Sequence, residues 1–287
     1  MENQRTISDL PFELLDLIFE KLESIVDKLQ LAQVNEKLGE AFAFHSRSAY
    51  KKLQSFFGQT PEMWVVIVSL CGSTVEEFSS RKNWDLPWSD IVAKSIEQHC
   101  PNLKSELVLE HNKFYYPDSH LNVLEICAQL TSLRSLTVQN ITIRPSEQPH
   151  SMIWPELEFL KICNCEIYTE LPECPKLKTL GMIKSNCHIE GLLLRFILQN
   201  GVNIKQLNES CHPPPFDGDN FLQVLRSCPK LRVFLTPMTD ISIHQAFVSS
   251  IVEVLKDKGF KQEDPFNLII YARDKLKWIR RLVSGNK

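Results

Sequence analysis

Cys163, Cys165, Cys174, Cys187 and His188 are the residues of this 287-residue chain that come nearest to a metal site by type and proximity. Zinc favours thiolate and imidazole ligands, but structural sites take them in paired arrangements such as CxxC. Here the spacing is CxC, followed by gaps of eight and twelve residues. Cys165 and Cys174 also belong to a repeated turn pattern. Asp217-Gly-Asp-Asn opens like a calcium loop, but the twelfth position, which should supply a bidentate Glu, is Cys228. No GxSxG, HExxH, GxGxxG or GxxxxGK[ST] string occurs, and only 9 residues are Gly. The expectation is a non-enzymatic chain with no metal and no cofactor.

The remaining chemistry is that of surfaces. Lys plus Arg number 32 against 35 Asp plus Glu, a net charge of −3. Nucleic-acid and anionic-membrane binders usually carry a basic excess, so neither partner is expected. Hydrophobic residues make up 43% and charged residues 23%, a globular composition. The 9 cysteines are odd in number and scattered, and MENQRTISDLPFELL has no basic segment leading into a long apolar one. That favours reduced thiols and a cytoplasmic and/or nuclear location. Apolar stretches such as Trp64 to Val68 fall far short of the ~20 residues a membrane helix needs.

Pro11 to Leu22 reads as an amphipathic helix. Pro11 suits a first helical position, Glu13 and Asp16 favour the positive end of the dipole, and Leu14, Leu15, Ile18, Phe19 and Leu22 form one face. A second helix is expected from Asp27, with the stripe Leu31, Val34, Leu38, Phe42, and a third from about Ser46 to Phe57. Helices this short bury only part of their apolar surface, so packing on the next region or on a partner is expected.

The order Leu10-Pro11-Phe12-Glu13-Leu14-Leu15, then Ile18-Phe19 and Leu22, resembles the F-box motif, LPxELLxxIxxxL. Asp27, Leu29, Leu31 and Val34 continue the resemblance in register and without a gap. Lys28, Asn35 and Leu38 depart from it, standing where a leucine, a cysteine and a tryptophan are usual. The resemblance implies docking on a Skp-family linker protein and, through it, on a cullin-based ubiquitin ligase. Leu10, Pro11, Leu14, Leu15, Ile18, Leu22, Leu29, Leu31 and Val34 would be its contact or framework residues.

The rest of the chain repeats itself. Cys100-Pro-Asn-Leu, Cys174-Pro-Lys-Leu and Cys228-Pro-Lys-Leu each close a loop and enter an apolar alternation. LxxLxL-type strings start at Val75, Leu103, Leu133, Leu157, Leu177, Ile204 and Leu231, and the copy at Leu103 carries one extra residue. Their intervals are those of stacked repeats, roughly 20–30 residues. The last two apolar positions of each string point to the same side of a strand. Helices are expected at Pro61–Leu70, Ser89–His99, Leu121–Leu130, Gly191–Gln199 and Asp219–Leu225, but not over Glu166–Cys174. Asp217 or Asp219 should cap the last of them. This region resembles the leucine-rich repeats of F-box proteins, in which Cys165 would occupy the Asn/Cys turn position.

The expected fold is therefore α/β. A helical F-box over residues 1–57 precedes an irregular solenoid over 58–287, with parallel strands on the concave face, helices on the convex face and a cap from about 243. Helices at Ile243–Lys258 and Arg273–Val283 and a strand at Phe266–Tyr271 would form that cap. The basic residues Arg273, Lys275, Lys277, Arg280 and Arg281 read as a solvated face or as a patch for an acidic partner. Arg81, Glu106, Glu110, Gln139, Lys161, Ile183 and Asn208 would face the concave surface, and Phe114, Tyr115 and Tyr116 could anchor a partner from a loop. Pro-stiffened loops at 144–150 and 211–215 are further insertions. The expected role is substrate recruitment for ubiquitination, with an unidentified target protein on the repeats. The alternative is a repeat scaffold with a drifted F-box that serves no ligase.

Overall fold

The computed structural model describes residues 6–54, 60–79, 90–110, 123–145, 153–260, 265–272, 274–277 and 279. Three helices open the described chain: α1 (Phe12–Lys21), α2 (Ile25–Ala32) and α3 (Glu36–Ala49). Pro11 is the N-cap of α1, so the helix begins at Phe12, one residue later than expected. The helix expected from Asp27 through Phe42 is two helices. Ser24 Oγ caps α2 by accepting from Val26 N, and Asn35 Oδ1 caps α3 by accepting from Leu38 N at 3.0 Å. An Asn that caps a new helix competes with continuing the old one, so Val34 falls in the link and not on a stripe. The third helix ends at Ala49, and Lys52–Gln54 is strand β1 instead of helix.

The rest is a solenoid-like parallel sheet flanked by helices. After β1 come α4 (Pro61–Cys71), β2 (Glu77–Ser79), α5 (Asp90–His99), β3 (Glu106–Glu110), α6 (Val123–Gln129), β4 (Ser135–Gln139), β5 (Thr142–Ile143) and β6 (Phe159–Cys163). Then follow β7 (Glu166–Ile167), β8 (Thr179–Cys187), α7 (Leu192–Asn200), β9 (Gln206–His212), α8 (Gly218–Ser227), β10 (Val233–Thr236), α9 (Gln245–Asp257) and β11 (Asn267–Ile270). The main sheet order is β1-β2-β3-β4-β6-β8-β9-β10-β11, and β5, β7 and β8 pair beside it. The pairings between these strands are parallel.

Register explains the repeat. Leu53, Phe78, Leu107, Leu136, Leu160, Leu180, Leu207, Phe234 and Leu268 are partners in sequence and form one column across the sheet. All but Leu268 are buried. A second inner column runs Leu109, Val138, Ile162, Met182. Each strand covers the apolar side of its neighbour, as stacked repeats must. The extra residue after Leu103 does not shift the register, and Leu107 still meets Leu136.

Before each strand the chain makes the same turn. Val75, Leu103, Leu133, Leu157, Leu177, Ile204 and Leu231 each donate an N–H to the carbonyl three residues back, on Gly72, Cys100, Leu130, Trp154, Cys174, Gly201 and Cys228. Asn200 ties two of these turns together. Its Oδ1 accepts from Cys174 N at 2.7 Å and its Nδ2 donates to Phe196 O at 2.8 Å. Both halves of this buried amide are thus satisfied. The stretch 166–174 contains no helix, and Asn140 and Asn164, left-handed at φ 58° and 52°, turn the chain ahead of it and bond to each other at 2.6 Å.

At the far end, residues 274–277 are helical. Lys275 Nζ donates to Thr239 O at 2.8 Å and Ile241 O at 2.5 Å, tying this segment to the loop before α9. Arg273, Arg280 and Arg281 lie outside the described residues. No helix among the described residues is long and apolar enough to cross a membrane.

Candidate functional site

Two surfaces stand out, one on the N-terminal helices and one on the outer face of the sheet. On the helices, the sequence-named contact residues divide. Leu15 and Leu29 are 0% and 5% exposed, packed into the chain's own core beside Phe19 and Phe42, so they are framework and cannot touch a partner. Leu10, Ile18, Leu22 and Leu31 are half-buried against the same core. Pro11 is exposed, and Leu14 and Val34 are 46% and 67% exposed. Leu17, at 52%, and Phe44 are exposed apolar residues that the motif did not single out.

Helical spacing accounts for this division. Leu14 and Leu17 are three apart on α1, while Leu15 and Phe19, four apart, hold the opposite face against α3. The rigid support is polar as well as apolar. Asp16 Oδ1 lies 2.7 Å from His45 Nδ1, and His45 Nε2 lies 3.2 Å from Lys28 Nζ. One residue from each of the three helices therefore meets at a buried imidazole. The ammonium donates to Nε2 and Nδ1–H donates to the carboxylate, a complete chain for neutral His. Burial holds the Lys28 ammonium below the usual lysine range.

Each departure from the motif has a place in this frame. Lys28 completes the chain through His45. Asn35 caps α3 and donates from Nδ2 to Ser8 Oγ at 2.9 Å. Leu38 is fully buried.

The outer face of the sheet carries the residues that alternate with the inner columns. Lys161, Gly181 and Asn208 are partners in one outer row, and Cys163, Ile183 and Ser210 in another. Glu106 lies on the row through Glu77 and Ser135, and Gln139 on the row through Cys163. Thus Glu106, Gln139, Lys161, Ile183 and Asn208 share one face in three rows. Val108 and Thr137, on the same face, are buried, whereas Glu106, Gln139, Lys161, Ile183 and Asn208 are half-buried. Exposed Ile269 and Tyr271 extend this face, and Tyr271 Oη donates to Asn208 Oδ1 at 3.3 Å. Arg81, Phe114, Tyr115 and Tyr116 lie outside the described residues, as does the side chain of Glu110.

Sequence reasoning passed over Glu209. Its strand position belongs to the second inner column, beside Met182, where the preceding strands place Leu109, Val138 and Ile162. The side chain is 2% exposed; Oε1 accepts from Thr236 Oγ1 and Oε2 has no partner. Burial pushes its carboxyl up to about 7. The signal is present in the sequence, since Leu207-Asn208-Glu209 breaks the LxL rule, but only the register shows that a carboxyl takes the inner place.

Where β8 and β9 leave the sheet, a cleft of about 530 Å³ opens between 187–193 and 213–217. Beside it, Tyr168 and His188 stack at 4.0 Å, and His188 Nε2 lies 2.7 Å from Glu166 Oε2. Among the described residues no group of three or more His, Cys, Asp or Glu is placed to hold a metal ion. Asp217 Oδ1 instead caps α8, accepting from Asn220 N at 2.7 Å.

No protein-family model and no curated protein matches this chain. Among solved structures, a complex of TLR13 with ssRNA13 is similar at 16% identity and a TM-score of 0.39. The likeness covers 71% of this chain and 29% of that one, so the chain spans under a third of that protein's length.

Proposed function

We propose that this chain is a substrate-recruiting adaptor, with the N-terminal helices docking on a Skp-family linker and the outer face of the sheet holding a target protein for ubiquitination. On this reading the helices are an F-box and the sheet is a leucine-rich-repeat solenoid. The chain does no covalent chemistry; it raises the local concentration of the target beside a ubiquitin-charged enzyme. The observation that carries the reading is the solvent exposure of Leu14 and Leu17 on α1 and of Val34 in the link between α2 and α3, with the other leucines of these helices sealed or half-sealed inside. An apolar surface rigidly presented by packed helices suits recognition by a complementary groove.

The motif departures do not weaken that surface. Leu38 is buried, Lys28 is turned to His45, and Asn35 is occupied as a cap. The alternative, a repeat scaffold joined to no ligase, has no observation of its own in its favour.

The test is capture of the chain by a Skp-family linker. Leu14→Asp and Val34→Asp should each reduce capture at least about ten-fold, the loss expected when a buried apolar contact becomes charged. Circular dichroism should show both variants folded, because neither side chain lies in the core. Capture that survives both substitutions overturns the docking assignment and leaves the scaffold reading.

A further inference from the structure

Cys187 and Cys211 lie on neighbouring strands at the rim of the cleft. β8 and β9 pair through Ile183 and Ser210, and pairing resumes at Asn186 and His212, so β8 carries one extra residue. Cys211 lies within that irregularity, between Ser210 and His212, and Cys187 directly follows Asn186 on the adjoining strand, which brings the two thiols side by side. Cys211 is buried, and its thiol donates to Met182 O at 3.5 Å. Cys187 is only half-buried and lines the open cleft together with His188, Gly191 and Pro213. The pair thus has one member facing solvent and one directly behind it.

The other thiols are placed differently. Cys71, Cys100, Cys127, Cys165, Cys174 and Cys228 are buried, and Cys163 is half-buried on the outer face. Burial pushes Cys71, Cys100, Cys127 and Cys174 up to about 12, and it raises Cys163 as well. Cys187 shifts the other way, held down by the neighbouring Cys211 thiol. Thiolate character with access is what makes a cysteine react.

We infer that Cys187 is a site of oxidation by hydroperoxides and that Cys211 resolves it to an intrachain disulfide. The Cys187 thiolate sulfur attacks one peroxide oxygen and the O–O bond breaks. The departing oxygen leaves as hydroxide and takes up a proton to become water, while Cys187 becomes a sulfenic acid. The Cys211 sulfur then attacks the Cys187 sulfur. The S–O bond breaks, and its hydroxyl leaves as water with the Cys211 proton. In total the two thiols lose two electrons and two protons, and hydrogen peroxide is reduced to two waters. The new bond would staple the end of β8 to the end of β9 at the cleft rim.

The experiment uses the full chain treated with hydrogen peroxide, blocked by alkylation and mapped by peptide mass spectrometry. A Cys187–Cys211 linked peptide is expected. Cys211→Ser should stop the reaction one step earlier, so that dimedone labels Cys187. Cys187→Ser should abolish both the linked peptide and the label. A linkage or label falling mainly on Cys163, or no oxidation while the chain stays folded, overturns the inference. If either serine variant fails to fold, the unsubstituted chain still decides the matter. Iodoacetamide should modify Cys187 about ten-fold or more faster than Cys163, and equal rates would count against the site.

Discussion

Along the main sheet from β2 to β10, the leucine or phenylalanine of the first column is flanked by its counterpart on the neighbouring strand at either side. Each burial is therefore shared, and each rung's apolar surface is used up by its neighbours. Among α1, α2 and α3 nothing repeats. One face of each helix closes around Phe19, Leu38 and Phe42, and no further rung covers Leu14, Leu17 or Val34. A stack of repeats passes its leftover apolar surface along to its ends, whereas a small helical group keeps it. That is why two leucine-bearing regions of one chain offer such different surfaces.

The largest effect should come from breaking the column. Leu180 is fully buried between Leu160 and Leu207. Leu180→Ala should lower unfolding free energy by about 2–5 kcal/mol, measured by urea denaturation, because rigid neighbours on both sides limit collapse of the cavity. A cost under about 1 kcal/mol would mean that the rungs repack freely, and the contrast with the helices would lose its basis.

Glu209 interrupts the second column, and its effect depends on pH. Its folded carboxyl lies near 7, above the ~4.3 of an unfolded Glu. The folded state therefore holds a proton that the unfolded state releases. The stabilisation is full below about pH 4 and is lost as pH rises to about 7, on the order of 3 kcal/mol in all. Glu209→Gln should remove this slope. Above pH 7 it should be more stable than the parent chain, and the two should converge toward pH 5. Parallel urea midpoints from pH 5 to 8 would show that the carboxyl is not the titrating group.

The turns before the strands come next. A Cβ on Gly72 would lie 2.6 Å from His99 O, a backbone atom, and one on Gly201 would lie 2.9 Å from Cys228 Sγ. Gly72→Ala and Gly201→Ala should cost about 1–3 kcal/mol by overpacking. Gly72→Ala should be the worse of the two, because a carbonyl cannot swing aside as a thiol can. The reverse order in thermal melts would place the rigidity in the chain around Gly201 instead.

These sites also show what is legible in the sequence. The LxL positions are readable because a strand's alternation and the interval between repeats are both periodic in the chain itself. The inward column and the outward placement of Lys161, Ile183 and Asn208 follow from that rule alone. Glu209 is not readable, since one polar residue at an inner position looks like a weak repeat until the register fixes its neighbours. The start of α3 is hidden for a local reason: the stripe Leu31, Val34, Leu38 keeps helical spacing across a break that one Asn side chain makes. Nor can the motif separate Leu14 from Leu15. Only the packing of α1 on α3 decides which of two adjacent leucines is sealed.

The smallest effect sharpens the comparison most. Leu17 is 52% exposed on α1, in the turn after Glu13 and before Lys21. Lysine has nearly the helix propensity of leucine, so Leu17→Lys tests burial and not backbone preference. Its ammonium gains Glu13 four residues back and meets Lys21 four residues on, two pair terms of a few tenths of a kcal/mol and opposite sign. The unfolding free energy should therefore move by no more than about 0.5 kcal/mol, as surface substitutions do. Capture by a Skp-family linker should fall in the same variant, because a charge then sits beside Leu14 on the exposed face of α1. A loss of about 2 kcal/mol or more, the scale of a disrupted core leucine, would show Leu17 to be part of the fold's own core. The helices would then keep no apolar surface in reserve. Unchanged stability with unchanged capture would confine the docking strip to Leu14 and Val34.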